Sequence, residues 1–174
     1  MTDASWLTGL VRDIPDFPEP GILFRDITPL LADVDAFRFV IDALADEFAG
    51  ETIDRVLGIE ARGFLLAAPV AYRLGAGLVP VRKAGKLPHD THNEGYQLEY
   101  GDDALELHVD ALSAGHSCLV IDDVLATGGT AAATGRLVER LGGRLAGYGF
   151  LIELDALGGR KQLGEAHVRT VLSY

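Results

Sequence analysis

The stretch Ser117-Cys118-Leu119-Val120-Ile121-Asp122-Asp123-Val124-Leu125-Ala126-Thr127-Gly128-Gly129-Thr130 limits what this chain can fold into more than any other. Residues 117–122 are a short apolar run with β-branched Val120 and Ile121, which predicts a strand buried on both faces and therefore a sheet covered on both sides. The strand is expected to end in two adjacent acids, Asp122 and Asp123. Ala126, Thr127, Gly128, Gly129 and Thr130 then supply small residues and hydroxyls just before a helix-compatible segment. The two glycines free the backbone for unusual dihedrals, and the helix start offers N–H groups to an anion such as a phosphate. Acids beside such a cradle repel the anion unless they face something neutral or cationic. Ribose hydroxyls and a magnesium ion both meet that condition, so one loop can hold a ribose phosphate along its length. The plainer alternative is a tight turn after a core strand.

The pattern of strand, charged small-residue turn and helix occurs once more, and a third strand leads into a basic turn. Residues 55–59 are an apolar strand ending at Glu60-Ala61-Arg62-Gly63 before a helical segment at 64–74. Residues 76–81 are another strand, followed at once by Arg82, Lys83 and Lys86. Turns at the carboxyl ends of parallel strands are where an open α/β sheet binds ligands, so basic side chains there suit a polyanion. Each turn also has a reading as a solvated loop. Apolar residues at helical spacing over 36–48 give an amphipathic helix that covers the sheet.

Residues 6–11 read as a short helix, and 12–21 as an irregular arm broken by three prolines and a glycine. Residues 87–95 have no periodicity and read as a mobile flap. Alternation on both sides of Gly101-Asp102-Asp103 gives an antiparallel hairpin over 96–109. His89 and His92 beside Asp90 lack a further ligand nearby and are not read as a metal site. The covering helix spans 130–141, strands follow at 145–154 and 168–172, and 155–165 is a charged surface connection. Alternating strands and helices imply an α/β fold with a mainly parallel central sheet flanked by helices.

The 174 residues, 48% of them hydrophobic, suit a single domain with a sizeable core. A formal net charge of −11, from 15 Lys and Arg against 26 Asp and Glu, argues against a surface made for nucleic acid or an anionic membrane. The single cysteine, Cys118, sits in the apolar strand and reads as a core thiol in a reducing compartment. Residues 1–10 lack the features of a secretory signal and no later segment has the apolar length to span a bilayer, so a soluble, cytoplasmic protein is expected.

Residues 120–130 resemble the phosphoribosyl pyrophosphate motif of the type I phosphoribosyltransferases, and the ATGGT ending resembles their adenine-using members. The run 16–31, the turn 60–63 and the LEYG segment at 98–101 match the same family in order. The resemblance implies that family's fold over 1–174, with a small hood at 1–34 and a flexible flap and hairpin at 82–109. It implies transfer of a phosphoribosyl group from phosphoribosyl pyrophosphate to adenine with magnesium held mainly by substrate, giving AMP and pyrophosphate, in a homodimer. Phe24 and Leu154 would sandwich the base and Arg25 would offer backbone contacts to it. Arg62, with Lys83 and Lys86, would grip the leaving group; Glu99 would place a carboxylate near the reacting centre and Tyr100 would cover it. Residues 89–94 depart from the family's flap, where small and hydroxyl residues are expected. Two alternatives stay open: a non-enzymatic sensor of phosphoribosyl pyrophosphate, and transfer to another purine.

Overall fold

A computed structural model describes residues 4–98 and 101–174. Seven strands form the main sheet in the order β5-β6-β4-β3-β7-β8-β9. β3 (Arg55–Ile59), β4 (Gly77–Lys83), β7 (Ser117–Leu125), β8 (Arg144–Glu153) and β9 (Val168–Ser173) are mutually parallel. β5 (Thr91–Leu98) and β6 (Gly101–His108) are an antiparallel hairpin joined to β4 through β6. Parallel strands bury both faces, and β7 shows it: Leu119 and Ile121 enter one core cluster while Cys118 and Val120 enter the other.

The first cluster is closed by α2 (Val34–Phe48), which contributes Val40, Leu44 and Phe48, and by α3 (Gly63–Leu74), which contributes Leu66 and Val70. Asp33 caps α2 by accepting from the N–H groups of Asp35 and Ala36 at 3.0 and 2.9 Å. The second cluster lies under α4 (Gly129–Arg140) through Ala133, Leu137 and Val138. Because the strands run parallel, the turns after β3, β4, β7 and β8 all leave the sheet at one rim. Burial pushes the Cys118 thiol up to about 11, as expected of a core cysteine.

Three parts of the chain differ from what the sequence predicts. First, the proline-rich arm is not irregular throughout: β1 (Arg12–Pro15) pairs antiparallel with β2 (Leu23–Asp26), while α1 (Thr28–Ala32) follows. Opposite charges face each other across this small sheet in Arg12–Asp26 and Arg25–Asp13, and its one proline, Pro15, is tolerated because a two-stranded sheet has only edges. Second, β5 begins at Thr91, inside the expected flap, and Gly101-Asp102-Asp103 lie in β6, not in a turn; Leu98 pairs with Gly101. β5 has no apolar alternation because salt bridges hold it: the Glu94 carboxylate accepts from Arg136 at 2.7 Å and Arg140 at 2.9 Å, both on α4. Third, 155–165 contains two 3-10 turns, Asp155–Leu157 and Gly159–Leu163, and Leu163 is buried.

The turn between β4 and β5 is fixed by a buried acid. Glu106 of β6 accepts from the N–H groups of Lys86 at 2.8 Å and Leu87 at 2.7 Å, and from the Thr91 hydroxyl at 3.4 Å. Burial alone would raise its pKa, but the N–H groups of Leu87, Gly85 and Lys86 and the Thr91 hydroxyl outweigh it and hold the carboxyl below 4.5. A depressed folded pKa stabilises the fold above the unfolded value, and that stabilisation is lost as pH falls through the folded value. The melting temperature of Glu106→Gln should therefore lie below wild type at pH 7, with the gap closing on acidification toward pH 3. A gap independent of pH would contradict the role given to the charge.

Candidate active site

The two acids are not at the end of a strand. β7 continues through Asp122 and Asp123 to Leu125 because β8 extends beside it, with Asp122 opposite Phe150 and Leu125 opposite Glu153. Asp123 is buried and its backbone N–H donates to Asp122 Oδ1 at 2.8 Å. Burial first, and the adjacent Asp123 charge second, push the Asp122 carboxyl well above the ordinary carboxylate range. The chain thus places two carboxylates where neither is fully solvated, an arrangement that waits for hydroxyl donors or a cation.

A cation is present. Arg62 donates from Nε to Asp123 Oδ2 at 2.5 Å, and its guanidinium lies 5.1 Å from the centre of the Phe24 ring. One side chain therefore links the turn after β3, the acid pair of β7 and the strand β2. The turns also meet through the backbone. A Cβ added to Gly63 would stand 2.7 Å from Asp122 Oδ1 and 3.0 Å from the Ile121 carbonyl oxygen, so only glycine permits this approach. The expectation that Arg62 reaches a ligand anion meets a competitor here, the Asp123 carboxylate.

Asp122 of β7 and, beyond the strand, Ala126, Thr127, Gly128 and Thr130 line a small open concavity of about 60 Å³. Gly128 has φ 85° and caps the helix; Gly129 is already helical, so one glycine rather than two carries the unusual dihedral. Among the described residues no side chain caps the first turn of α4, so its N–H groups are available to an anion. Support comes from Gly159, a residue outside the sequence motif. Gly159 packs against the loop so closely that a Cβ on it would stand 3.1 Å from the Gly128 nitrogen and 2.9 Å from Leu125 Cδ1. The adjacent pair Gly158-Gly159 inside a charged connection was the available signal.

Of the remaining basic residues, Arg82 and Lys83 are in β4 rather than after it. Arg82 is engaged, donating to Glu60 from Nε at 3.1 Å and Nη2 at 3.3 Å, and the Lys83 N–H donates to the same carboxylate at 3.0 Å. Hydrogen bonds from Arg82, then from the Lys83 backbone, hold the Glu60 carboxyl low. Lys86 lies in the next turn, near enough for its charge to lower Glu60 further. Phe24 sits edge-on to Phe17 at 5.2 Å between ring centres. The Arg25 side chain pairs with Asp13 and lies over the Tyr174 ring. Leu154 follows β8, and its N–H donates to the Leu125 carbonyl at 2.9 Å, one residue before the loop that starts at Ala126. Glu99 and Tyr100 lie outside the described residues.

A family model, the phosphoribosyl transferase domain, matches residues 27–169. A protein of Anaeromyxobacter sp. (strain Fw109-5) named adenine phosphoribosyltransferase is 60% identical over 164 residues, which cover 94% of this chain and 93% of that one. The chain belongs to the adenine phosphoribosyltransferases. A second member of the family, from Myxococcus xanthus (strain DK1622), is 55% identical across 100% of this chain and 96% of its own. The crystal structure of the adenine phosphoribosyltransferase from Rhodothermus marinus superposes with a TM-score of 0.95 at 53% identity, covering 98% of each chain. That of Saccharomyces cerevisiae, complexed with an imino-altritol bisphosphate and adenine, superposes with a TM-score of 0.91 at 44% identity, covering 97% of this chain and 98% of that one. The fold is that of the type I phosphoribosyltransferases, as the sequence motifs imply.

Proposed function

We propose that this chain transfers the phosphoribosyl group of phosphoribosyl pyrophosphate to adenine, releasing AMP and pyrophosphate, at the rim where the turns after β3, β4, β7 and β8 converge. The observation that carries this reading is the Arg62–Asp123 contact, which brings a leaving-group turn and a sugar-binding acid pair within reach of one small molecule. The 5-phosphate rests on Thr127, Gly128, Gly129 and Thr130 at the start of α4. The ribose hydroxyls donate to Asp122 and Asp123. Pyrophosphate lies toward Arg62, Lys83 and Lys86, and competes with Asp123 for Arg62, so arrival of the leaving group and release of the acid for the sugar are linked.

Departure of pyrophosphate leaves an oxocarbenium-like sugar, which negative charge beside the ribose stabilises while positive charge steadies the leaving group. The base is held between Phe24 and Leu154 with backbone contacts from Arg25, and Glu99 takes the proton that adenine loses as the new bond forms. Tyr100 covers the centre. Orientation of base and sugar can supply about 7–11 kcal/mol, against about 3–5 kcal/mol for one general acid or base. Positioning dominates. Stacking on Phe24 adds about 1–3 kcal/mol without selecting a base.

Among the described residues no group of three or more His, Cys, Asp or Glu gathers as a metal site, and Asp123 is held by Arg62. Magnesium in this reading arrives with the substrate, whose own oxygens hold it, and no step is assigned to it. β1 and β2 form the hood over the base, and the β5–β6 hairpin the flap that excludes water. Among the described residues no helix is long and apolar enough to cross a membrane, and a formal net charge of −11 disfavours nucleic acid as a partner; a cytoplasmic location is part of the proposal. A homodimer is part of it, since α3 exposes Leu65 and Tyr72 and β4 exposes Leu78; sedimentation at twice the chain mass is expected and a monomer would refute this part.

Turnover of four bases with phosphoribosyl pyrophosphate and magnesium tests the reaction. Adenine should give AMP and pyrophosphate at a kcat/KM at least about 10²-fold above hypoxanthine, guanine or xanthine, since unmatched polar edges are costly in a hydrogen-bonding site. Binding of phosphoribosyl pyrophosphate without turnover of any base would replace the enzyme with a sensor.

A further inference from the structure

We infer that Tyr174 is a positioning residue that joins the two walls of the base site and thereby sets the affinity for adenine. The inference rests on the reading that Phe24 and Leu154 flank the base. The Tyr174 N–H donates to the Glu153 carbonyl at 2.9 Å, and the Tyr174 carbonyl accepts from the Asp155 N–H at 2.9 Å. These two bonds bracket Leu154 and fix the backbone on either side of it.

The Tyr174 ring faces the other wall. The Arg25 guanidinium lies over it, 4.1 Å from the ring centre, and Arg25 is the residue after Phe24 in β2. Arg25 is mostly shielded, its side chain 19% exposed, and also pairs with Asp13 opposite it in β1. A shielded guanidinium over an aromatic face is at the stronger end of such contacts. The stack is a direct tie, through Tyr174, between Phe24's strand and Leu154's backbone, and it adds to the contact of Arg62 with the Phe24 ring. The Tyr174 hydroxyl is buried with no hydrogen-bond partner among the described residues, so the ring and not the hydroxyl carries the role.

The test compares Tyr174→Ala, Tyr174→Leu and Tyr174→Phe, with Phe24→Ala as the control, by steady-state kinetics in both substrates and by thermal melting. Tyr174→Ala and Tyr174→Leu should raise KM for adenine about tenfold, the loss of one shielded cation–π contact, with KM for phosphoribosyl pyrophosphate changed less than about twofold. Tyr174→Phe should restore wild-type values in both. Tyr174→Leu fills the same apolar space, so it reports even if the alanine variant does not fold. An unchanged KM for adenine in Tyr174→Leu while Phe24→Ala raises it would overturn the inference and leave the base site standing. Equal rises in both KM values, tracking a lower melting temperature, would reduce Tyr174 to a structural residue and also overturn it. No effect of Phe24→Ala on adenine would remove the base-site reading itself, and this inference with it.

Discussion

Exchange of both Asp122 and Asp123 for asparagine should lower kcat by about 10³-fold or more, with the fold retained. One preorganised group aimed at developing charge is worth about 10²–10³ in kcat, and this substitution removes both carboxylates proposed to meet the ribose. The fold should survive because Asp122 is costly to it: burial and the adjacent Asp123 charge push its carboxyl up, so neutralising Asp122 relieves a burden on the folded state. The cation left behind, Arg62, has a side chain 44% exposed and can turn to water, so loss of its partner costs little. Melting temperature and kcat at saturating adenine and phosphoribosyl pyrophosphate measure the two effects separately. A wild-type kcat in the double variant would remove the carboxylates from the mechanism; collapse of the fold would show them to be structural.

Gly63→Ala should be nearly as damaging although it adds one methyl group. That Cβ would meet Asp122 Oδ1 at 2.7 Å and the Ile121 carbonyl at 3.0 Å, and the carbonyl belongs to a central strand that cannot retreat. The turn after β3 must move away from the acids, taking Arg62 with it. Overpacking of this kind costs about 1–3 kcal/mol of stability. The larger effect falls on kcat/KM for phosphoribosyl pyrophosphate, expected to drop about 10²-fold, the penalty of an ångström-scale misplacement. Gly50→Ala is the control: a Cβ there meets nothing within 4 Å, and both quantities should stay near wild type. Equal behaviour of the two variants would mean that the turns do not cooperate.

The parallel strands and their covering helices were legible because burial on both faces writes continuous apolar runs, as in Leu119-Val120-Ile121, and because α2 repeats its apolar stripe at helical spacing. The acid pair and the glycine loop were legible as a motif. Their partners were not. β5 reads as polar because Glu94 is satisfied by Arg136 and Arg140 from a helix more than forty residues away, a pairing that leaves no local periodicity. β1 and β2 are joined by cross-strand charges rather than by alternation. Gly159 matters through contact with Gly128, and Glu60 through Arg82, and neither relation is local in sequence. The sequence around Arg62 points to an anion as its partner; that Arg62 lies on Asp123 in the folded chain depends on two strands being neighbours in the sheet.

A crystal structure of this chain with phosphoribosyl pyrophosphate and magnesium tests the site most directly. The expected density has the ribose hydroxyls within hydrogen-bonding distance of Asp122 and Asp123, the 5-phosphate at the backbone of 127–130, and Arg62 turned from Asp123 toward pyrophosphate. A ligand bound elsewhere, with Arg62 still on Asp123 and the loop at the start of α4 empty, would contradict the account.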